Sequence, residues 1–159
     1  MDQWKPHVTV AAVIERDGRY LLVEEEAADG LCYNQPAGHL ESGESLLEAV
    51  IREALEESAR DFTPQGLLGI YQVAAAALDG SRVNYLRFAF VGSVGERVPG
   101  RALDTGIVRA LWMDYDEIAA SRERHRSVLV MQCIEGHRAR RALAPLELIY
   151  SHASIRGPA

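Results

Sequence analysis

The chain has 159 residues, of which 48% are hydrophobic and 25% charged, and its formal net charge is −6. That balance predicts one globular domain over residues 1–159, and the acidity excludes the broad basic face that a nucleic-acid polymer requires. No apolar run approaches the roughly 18 residues of a membrane span, and an acid, Asp2, stands where a signal peptide carries basic charge. Cys32 and Cys133 form no CxxC motif, which predicts reduced thiols and a cytoplasmic location. The sequence leaves the oligomeric state open, a monomer being compatible with it.

In chain order, residues His7–Glu15, "HVTVAAVIE", are β-branched and apolar and predict a buried strand. "RDG" then turns the chain into a second strand at Arg19–Glu25. A loop at Ala27–Gly30 leads to a short extended piece, "LCYNQP". Further on, Gln65–Leu78 and Val83–Val91 flank "DGS", a hairpin signal, and Gly92–Gly106 reads as loop. Ile107–Met113 predicts a strand and "DYDEIAAS" a short helix with an acidic cap. Ser127–Arg141 has helical spacing, with Val128, Met131, Cys133 and Ile134 as apolar positions. Strands before, between and after two main helices predict an α/β fold, a mixed sheet between helices.

The chemistry concentrates in "PAGHLESGESLLEAVIREALEESARDF", Pro36 to Phe62. Ser45 and Glu48 fit a capping box, placing the helix start at Ser45 or Leu46. At about 100° per residue, Leu46, Val50, Ala54, Leu47, Ile51 and Leu55 share one half of the helix. Glu53, Glu56 and Glu57 gather in another sector, with Arg52 adjoining. Their repulsion is relieved if a hard divalent cation sits on them, since Mg²⁺ takes oxygen ligands and bridges a few carboxylates to substrate phosphates. A backbone carbonyl such as that of Gly38 can join them. A solvated acidic face with an ordinary pair from Arg52 to Glu48 or Glu56 is the alternative for any Glu-rich helix.

The wider spacing argues against that alternative. Gly38 is followed by five residues and Glu44, then seven residues and Arg52-Glu53, then Ala54, Leu55 and Glu56-Glu57. At typical residue frequencies, six such matches arise by chance about once in ten million start positions, so coincidence does not explain them. The pattern, residues 38–60, resembles the signature box of the Nudix hydrolases. It departs at its end, where Ala59 replaces a Gly and Arg60 an apolar residue. A missing Gly there threatens the helix exit at a cost of roughly 1 kcal/mol. The flanks "KPHVTVAAVI", "VEEE", "NQPAGHLE", "YLRFAF", "RSVLV" and "PLELI" are similar to the NudJ phosphatase branch, with Tyr33 in place of that branch's Trp.

The resemblance implies an α/β/α sandwich around a mixed sheet, and hydrolysis of a small-molecule diphosphate with Mg²⁺ or Mn²⁺. Carried over by residue, Glu56 and Glu57 become principal metal ligands with the Gly38 carbonyl. Glu53 becomes a ligand or the base that activates water, Arg52 orients the carboxylates, and Glu44 supports them. Asp104, before "IVRALW", is the candidate acid from outside the box, a plain surface acid being the other reading. Tyr85, Arg87 and Arg126 are candidate substrate contacts. Tyr85 and Arg87 share a strand face, and each of the three is otherwise a packing aromatic or a surface arginine. His7 and His39 read as structural hydrogen-bonding residues, since such a cation prefers oxygen.

The branch implies nucleoside tri- and diphosphates or hydroxymethylpyrimidine diphosphate as substrates, with release of orthophosphate. Alternatives are a pyrophosphohydrolase of ADP-ribose or a noncanonical dNTP, and a noncatalytic nucleotide sensor.

Overall fold

Ten residues of mixed burial, His7–Arg16 (β1), form the strand around which the rest is arranged. The computed structural model describes residues 4–77, 79–139 and 142–157. Asp17 and Gly18, both at positive φ (52° and 78°), turn β1 into Arg19–Ala27 (β2), the backbone twist a two-residue hairpin favours. Gly30–Asn34 (β3) and Ala37–His39 (β4) follow, then the helix Leu46–Ser58 (α1). Phe62–Ala76 (β5) and Arg82–Val94 (β6) make the long hairpin. Ile107–Asp114 (β7), Tyr115–Ala120 (α2) and Leu129–Ala139 (α3) complete the layers.

The sheet divides at β1. β6 pairs with it in parallel along one edge, and β5 antiparallel beyond β6. The other edge is shared: β4 takes Thr9 to Ala11, and β2 takes Glu15 and Arg16. β2 carries β3 and β7, both antiparallel. This is the mixed sheet that the sequence predicts. One face, through Val10, Ala12 and Phe90, packs on Ala49, Val50 and Ala54 of α1. The other, through Val13, Leu22 and Ala89, packs on Ile118 of α2 and on Met131 and Ile134 of α3. Helices therefore cover both faces, as the unbroken buried run from Thr9 to Ile14 of β1 requires.

Local structure departs from the sequence pattern in two places. β6 runs on to Val94, so Gly92–Val94 are strand where composition predicts loop, held by pairing with Pro64 to Phe62. The last helix begins at Leu129, whose N–H donates to the Ser127 hydroxyl oxygen at 3.2 Å. Val128 consequently lies outside that helix and is 65% exposed, while Leu129 and Val130 are buried in its stead. The predicted strand end at Leu78 and the helix end at Arg140–Arg141 lie outside the described residues.

The exit of α1 is where the sequence departs from the box. Ser45 caps the start with the complete capping box. At the other end Ala59 adopts the left-handed conformation a Gly would take, φ 54° and ψ 36°, and its N–H bonds the Leu55 carbonyl at 2.9 Å. Arg60 stacks over Trp112, 5.8 Å from the ring centroid, and donates to the Gly95 carbonyl at 2.9 Å. Where the box has an apolar side chain, this chain thus lays a guanidinium on an aromatic ring.

Ala59 is fully buried, so two small effects oppose there. Ala59→Gly should be close to neutral: relief of about 1 kcal/mol of left-handed strain offsets loss of a buried methyl worth about 0.8 kcal/mol. Ala59→Val should cost more than about 2 kcal/mol, because a β-branched residue resists positive φ. Urea unfolding of the two variants measures both.

Candidate active site

Arg52 is the hub of the acidic cluster. Its Nε and Nη2 fork onto both oxygens of Glu44, at 3.0 and 2.7 Å. Its Nη1 donates to Glu53 at 2.8 Å and Glu56 at 3.1 Å, and Nη2 also donates to the His39 carbonyl at 3.0 Å. A planar guanidinium with five donors suits this role. Glu44 therefore acts on the cluster through Arg52, which holds its carboxyl below the usual range. One guanidinium ties α1 to β4 and to the loop between them.

Glu53 and Glu57 are each 7% exposed. A methyl group at Gly38 would overlap the Glu53 carboxylate, so the first residue of the box is glycine because a carboxylate lies against its Cα. Glu57 accepts the Ala37 N–H at 2.9 Å. Burial pushes the Glu57 carboxyl up to about 8 against that hydrogen bond, with repulsion from Glu53, Glu25 and Asp104 adding to it. Burial also raises Glu53, against the pull of Arg52 and with repulsion from Glu56 and Asp104. Negative charge is here held together at an energetic cost.

Asp104 reaches this cluster because its N–H bonds the Glu56 carbonyl at 2.9 Å, docking the loop before β7 on the end of α1. Glu25 reaches it too, from β2, and sequence reasoning misses it. "VEEE" stands out as acidic, but strand alternation alone does not say which face is the site. Glu24, on the opposite face, is buried between Arg109 at 2.7 Å and Arg124 at 2.6 Å. Arg124 also donates to the Tyr33 hydroxyl at 2.7 Å and lies 4.2 Å above its ring. Tyr33 thus supplies an acceptor that an indole lacks. Its carbonyl takes the Arg126 N–H at 2.8 Å, fastening the 122–128 segment along β3.

A cavity of about 940 Å³ opens where the sheet divides. Its wall includes Gly38 and Glu25 at the acidic end, and all three predicted substrate contacts, Tyr85, Arg87 and Arg126. Arg87 is 7% exposed, which overturns its reading as a surface arginine. The Tyr85 ring lies 5.5 Å from His7 and 6.3 Å from His39. The two histidines face each other, Nδ1 to Nε2, at 3.4 Å.

Residues 5–132 match the sequence profile of the NUDIX domain. The chain belongs to the Nudix family. Over 146 residues it is 36% identical to the phosphatase NudJ of Escherichia coli K12, spanning 92% of each chain, and equally to that of Shigella flexneri. A Nudix hydrolase from Nitrosomonas europaea is 51% identical and superposes with a TM-score of 0.88, covering 94% of this chain and 99% of that one. A MutT Nudix hydrolase from Burkholderia pseudomallei shares the fold at 22% identity, with a TM-score of 0.68 over 84% of this chain and 98% of that one. The α/β/α sandwich is accordingly the Nudix fold, and the chain is a Nudix hydrolase similar to the NudJ phosphatases.

Nudix hydrolases generally depend on a divalent metal, and the donor set of this one fits a hard cation. All the clustered side chains are carboxylates, the choice of Mg²⁺ over softer ions. Among the described residues no group of three or more His, Cys, Asp or Glu side chains stands placed to hold a metal ion by itself. Mg²⁺ needs none, since it keeps several waters and takes one or two carboxylates. The raised carboxyls of Glu53 and Glu57 mark where burial and neighbouring carboxylates disfavour negative charge.

For the metal-free protein the sign of the pH dependence follows. A Glu57 carboxyl shifted from 4.5 to about 8 holds its proton more tightly when folded, so stability falls as pH rises through that window. Urea unfolding in EDTA between pH 5 and 8 should show this decline. Glu57→Gln, which cannot ionise, should flatten it.

Proposed function

We propose that this Nudix hydrolase is a Mg²⁺-dependent phosphohydrolase, with Mn²⁺ able to substitute, that acts on nucleoside tri- and diphosphates or hydroxymethylpyrimidine diphosphate and releases orthophosphate. The observation that carries the reading is the meeting, at β4, of the acidic cluster with a cavity lined by Tyr85, Arg87 and Arg126. One end suits a metal-neutralised diphosphate, and the other suits the group attached to it. Identity to the NudJ phosphatases over 92% of the chain supports the phosphatase reading.

Glu56 and Glu57, with the Gly38 carbonyl, would hold the cation as principal ligands, Asp104 and Glu53 standing beside them as a further ligand or as the base. When bound, it neutralises phosphate charge and lowers the pKa of water. Glu53 then accepts a proton from the attacking water at a carboxylate oxygen, burial making it a stronger base than an exposed carboxylate. The water oxygen bonds the terminal phosphorus, and the bond to the bridging oxygen breaks with its electron pair leaving on the remaining phosphate. Arg52 fixes the Glu53 and Glu56 carboxylates so that no side chain need reorganise during this step. Glu44 holds Arg52 in place. Arg87, Tyr85 and Arg126 orient the attached moiety, contributing through positioning.

A small-molecule substrate fits the net charge of −6, which disfavours a nucleic-acid polymer. Among the described residues no helix is long and apolar enough to cross a membrane, in keeping with a cytoplasmic location. The retained set of Arg52, Glu53, Glu56 and Glu57 favours an enzyme over a sensor.

A screen of nucleoside di- and triphosphates, dinucleotides and pyrimidine diphosphates, with orthophosphate and pyrophosphate measured separately, tests the reaction. Orthophosphate is expected. Pyrophosphate, or a nucleoside monophosphate formed from a triphosphate in one step, would point instead to a pyrophosphohydrolase. Glu56→Gln and Glu57→Gln should each lose about 100-fold or more in kcat at any Mg²⁺ concentration, as removal of several kcal/mol of charge stabilisation implies. Circular dichroism should show the fold intact, and undiminished turnover would sink the metal assignment. The Glu53→Gln variant should lose the acidic limb of the pH–rate profile.

A further inference from the structure

The carboxylate centre leaves a pair of ligand atoms unused beside it. His7 Nδ1 and His39 Nε2 stand 3.4 Å apart, and both side chains are exposed. Their rings meet edge-on, with centroids 5.5 Å apart and planes at 70°. Ring nitrogens, not ring faces, are therefore what the two residues present to each other.

Paired strands hold them there. Thr9 pairs with His39, and His7 with Tyr85. His7 lies two residues before Thr9 on β1, so alternation puts its ring on the face that carries His39. That face is the cavity side, since Thr9, His39 and Tyr85 all line the cavity together with Gly38. The His39 carbonyl is itself fixed by Arg52 Nη2 at 3.0 Å. Both imidazoles thus rise from regular structure, the support that a ligand set requires.

Distance decides what the pair suits. A nitrogen donor closes on its acceptor to about 2.7–3.2 Å, so 3.4 Å is a stretched hydrogen bond. Two nitrogens on one tetrahedral cation, each about 2.05 Å from it, are roughly 3.3 Å apart. A small turn of each exposed ring about its Cβ–Cγ bond brings both lone pairs to one point, with the protons on His7 Nε2 and His39 Nδ1. Imidazole suits Zn²⁺, Ni²⁺ and Cu²⁺, whereas Mg²⁺ and Mn²⁺ take carboxylates. Among the described residues no third His, Cys, Asp or Glu converges on the pair. Water or a phosphate oxygen then completes the shell, as at an open zinc site.

We propose that His7 and His39 form a chelating site for a borderline divalent cation, with Zn²⁺ the expected occupant, and that filling it inhibits the enzyme. His39 follows Gly38 directly, which puts this site one residue from the carboxylate centre. A cation there offers the phosphate oxygens of a substrate a competing partner, displaced from the carboxylates of the box. The inhibitory part rests on the phosphohydrolase reading above; the site itself does not.

Binding is tested on the untagged full-length chain in about 10 mM Mg²⁺, which keeps the oxygen ligands occupied. The chain has five histidines. Zn²⁺ should shift the ring signals of His7 and His39 in NMR spectra and leave those of His125, His137 and His152 in place. Two ligands of four set the expected Kd at roughly 1–100 µM. His7→Ala and His39→Gln should each weaken binding by about tenfold or more. Absence of any shift in either ring up to about 1 mM Zn²⁺, or an affinity unchanged in both variants, would overturn the site.

Turnover is the second readout. With the best substrate of the screen, Zn²⁺ should inhibit orthophosphate release by the wild-type chain, and His7→Ala should need about tenfold more of it. Residual inhibition in that variant measures Zn²⁺ at the carboxylates. Equal inhibition of both proteins would overturn the inhibitory role. Shifts of both rings without hydrolysis of any diphosphate would sink the phosphohydrolase reading alone.

Discussion

The acidic centre depends on one guanidinium. Arg52 holds Glu44, Glu53 and Glu56 and the His39 carbonyl at once, and it does so from the second-last turn of α1. Without it, three carboxylates within a few ångströms would repel one another in a half-buried setting where charge is weakly screened. With it, helix, loop and edge strand are fixed relative to each other. That is a requirement of any site that works by electrostatic preorganisation. The glycine at 38 is the complement of this arrangement: it leaves room on β4 for the carboxylate that Arg52 steers there.

The divided edge of β1 sets a cavity beside this centre. Because β4 pairs with one half of that edge and β2 with the other, a space opens between the two parts of the sheet. β4 is too short to close it. Its Gly38 faces α1 and the carboxylates, while Ala37 and His39 face the opposite side, so a molecule at β4 touches both chemistries. The far wall is held by Glu24, which binds Arg109 and Arg124, and by Tyr33, whose ring, hydroxyl and carbonyl fasten the segment carrying Arg126. Tyr33 in this chain is therefore more than a packing aromatic: its hydroxyl adds a link that a tryptophan would not provide.

Much of this is legible in the sequence. The strand and helix order follows from period-2 and period-3.6 patterning, and the capping box at Ser45 and Glu48 is a contact three residues long. Boundaries drift where pairing at a distance prevails over local signals. Gly92–Val94 are loop-like in composition but strand in place because Phe62 to Pro64 pair with them. Val128 has helical spacing yet is solvent-exposed, because the Ser127 hydroxyl meets the N–H of Leu129 and the helix starts there. Ala59, by its residue type, predicts a disturbed helix exit and instead takes the glycine's conformation, held by surrounding bonds that no local rule foretells.

The sequence by itself determined the chemistry of the box. Gly38, Glu44, Arg52, Glu53, Glu56 and Glu57 stand at spacings that one turn and one helix convert into a cluster, because every contact involved is local or nearly so. Tertiary structure alone decided which other groups join them. Glu25 and Asp104 approach the cluster only once β2 and the loop before β7 are docked. Arg87, indistinguishable in sequence from a surface arginine, becomes a buried cation only when β6 lies beside β1 and Gln35 reaches it. Burial and long-range electrostatics depend on what the rest of the chain places nearby, and that is information no short spacing contains.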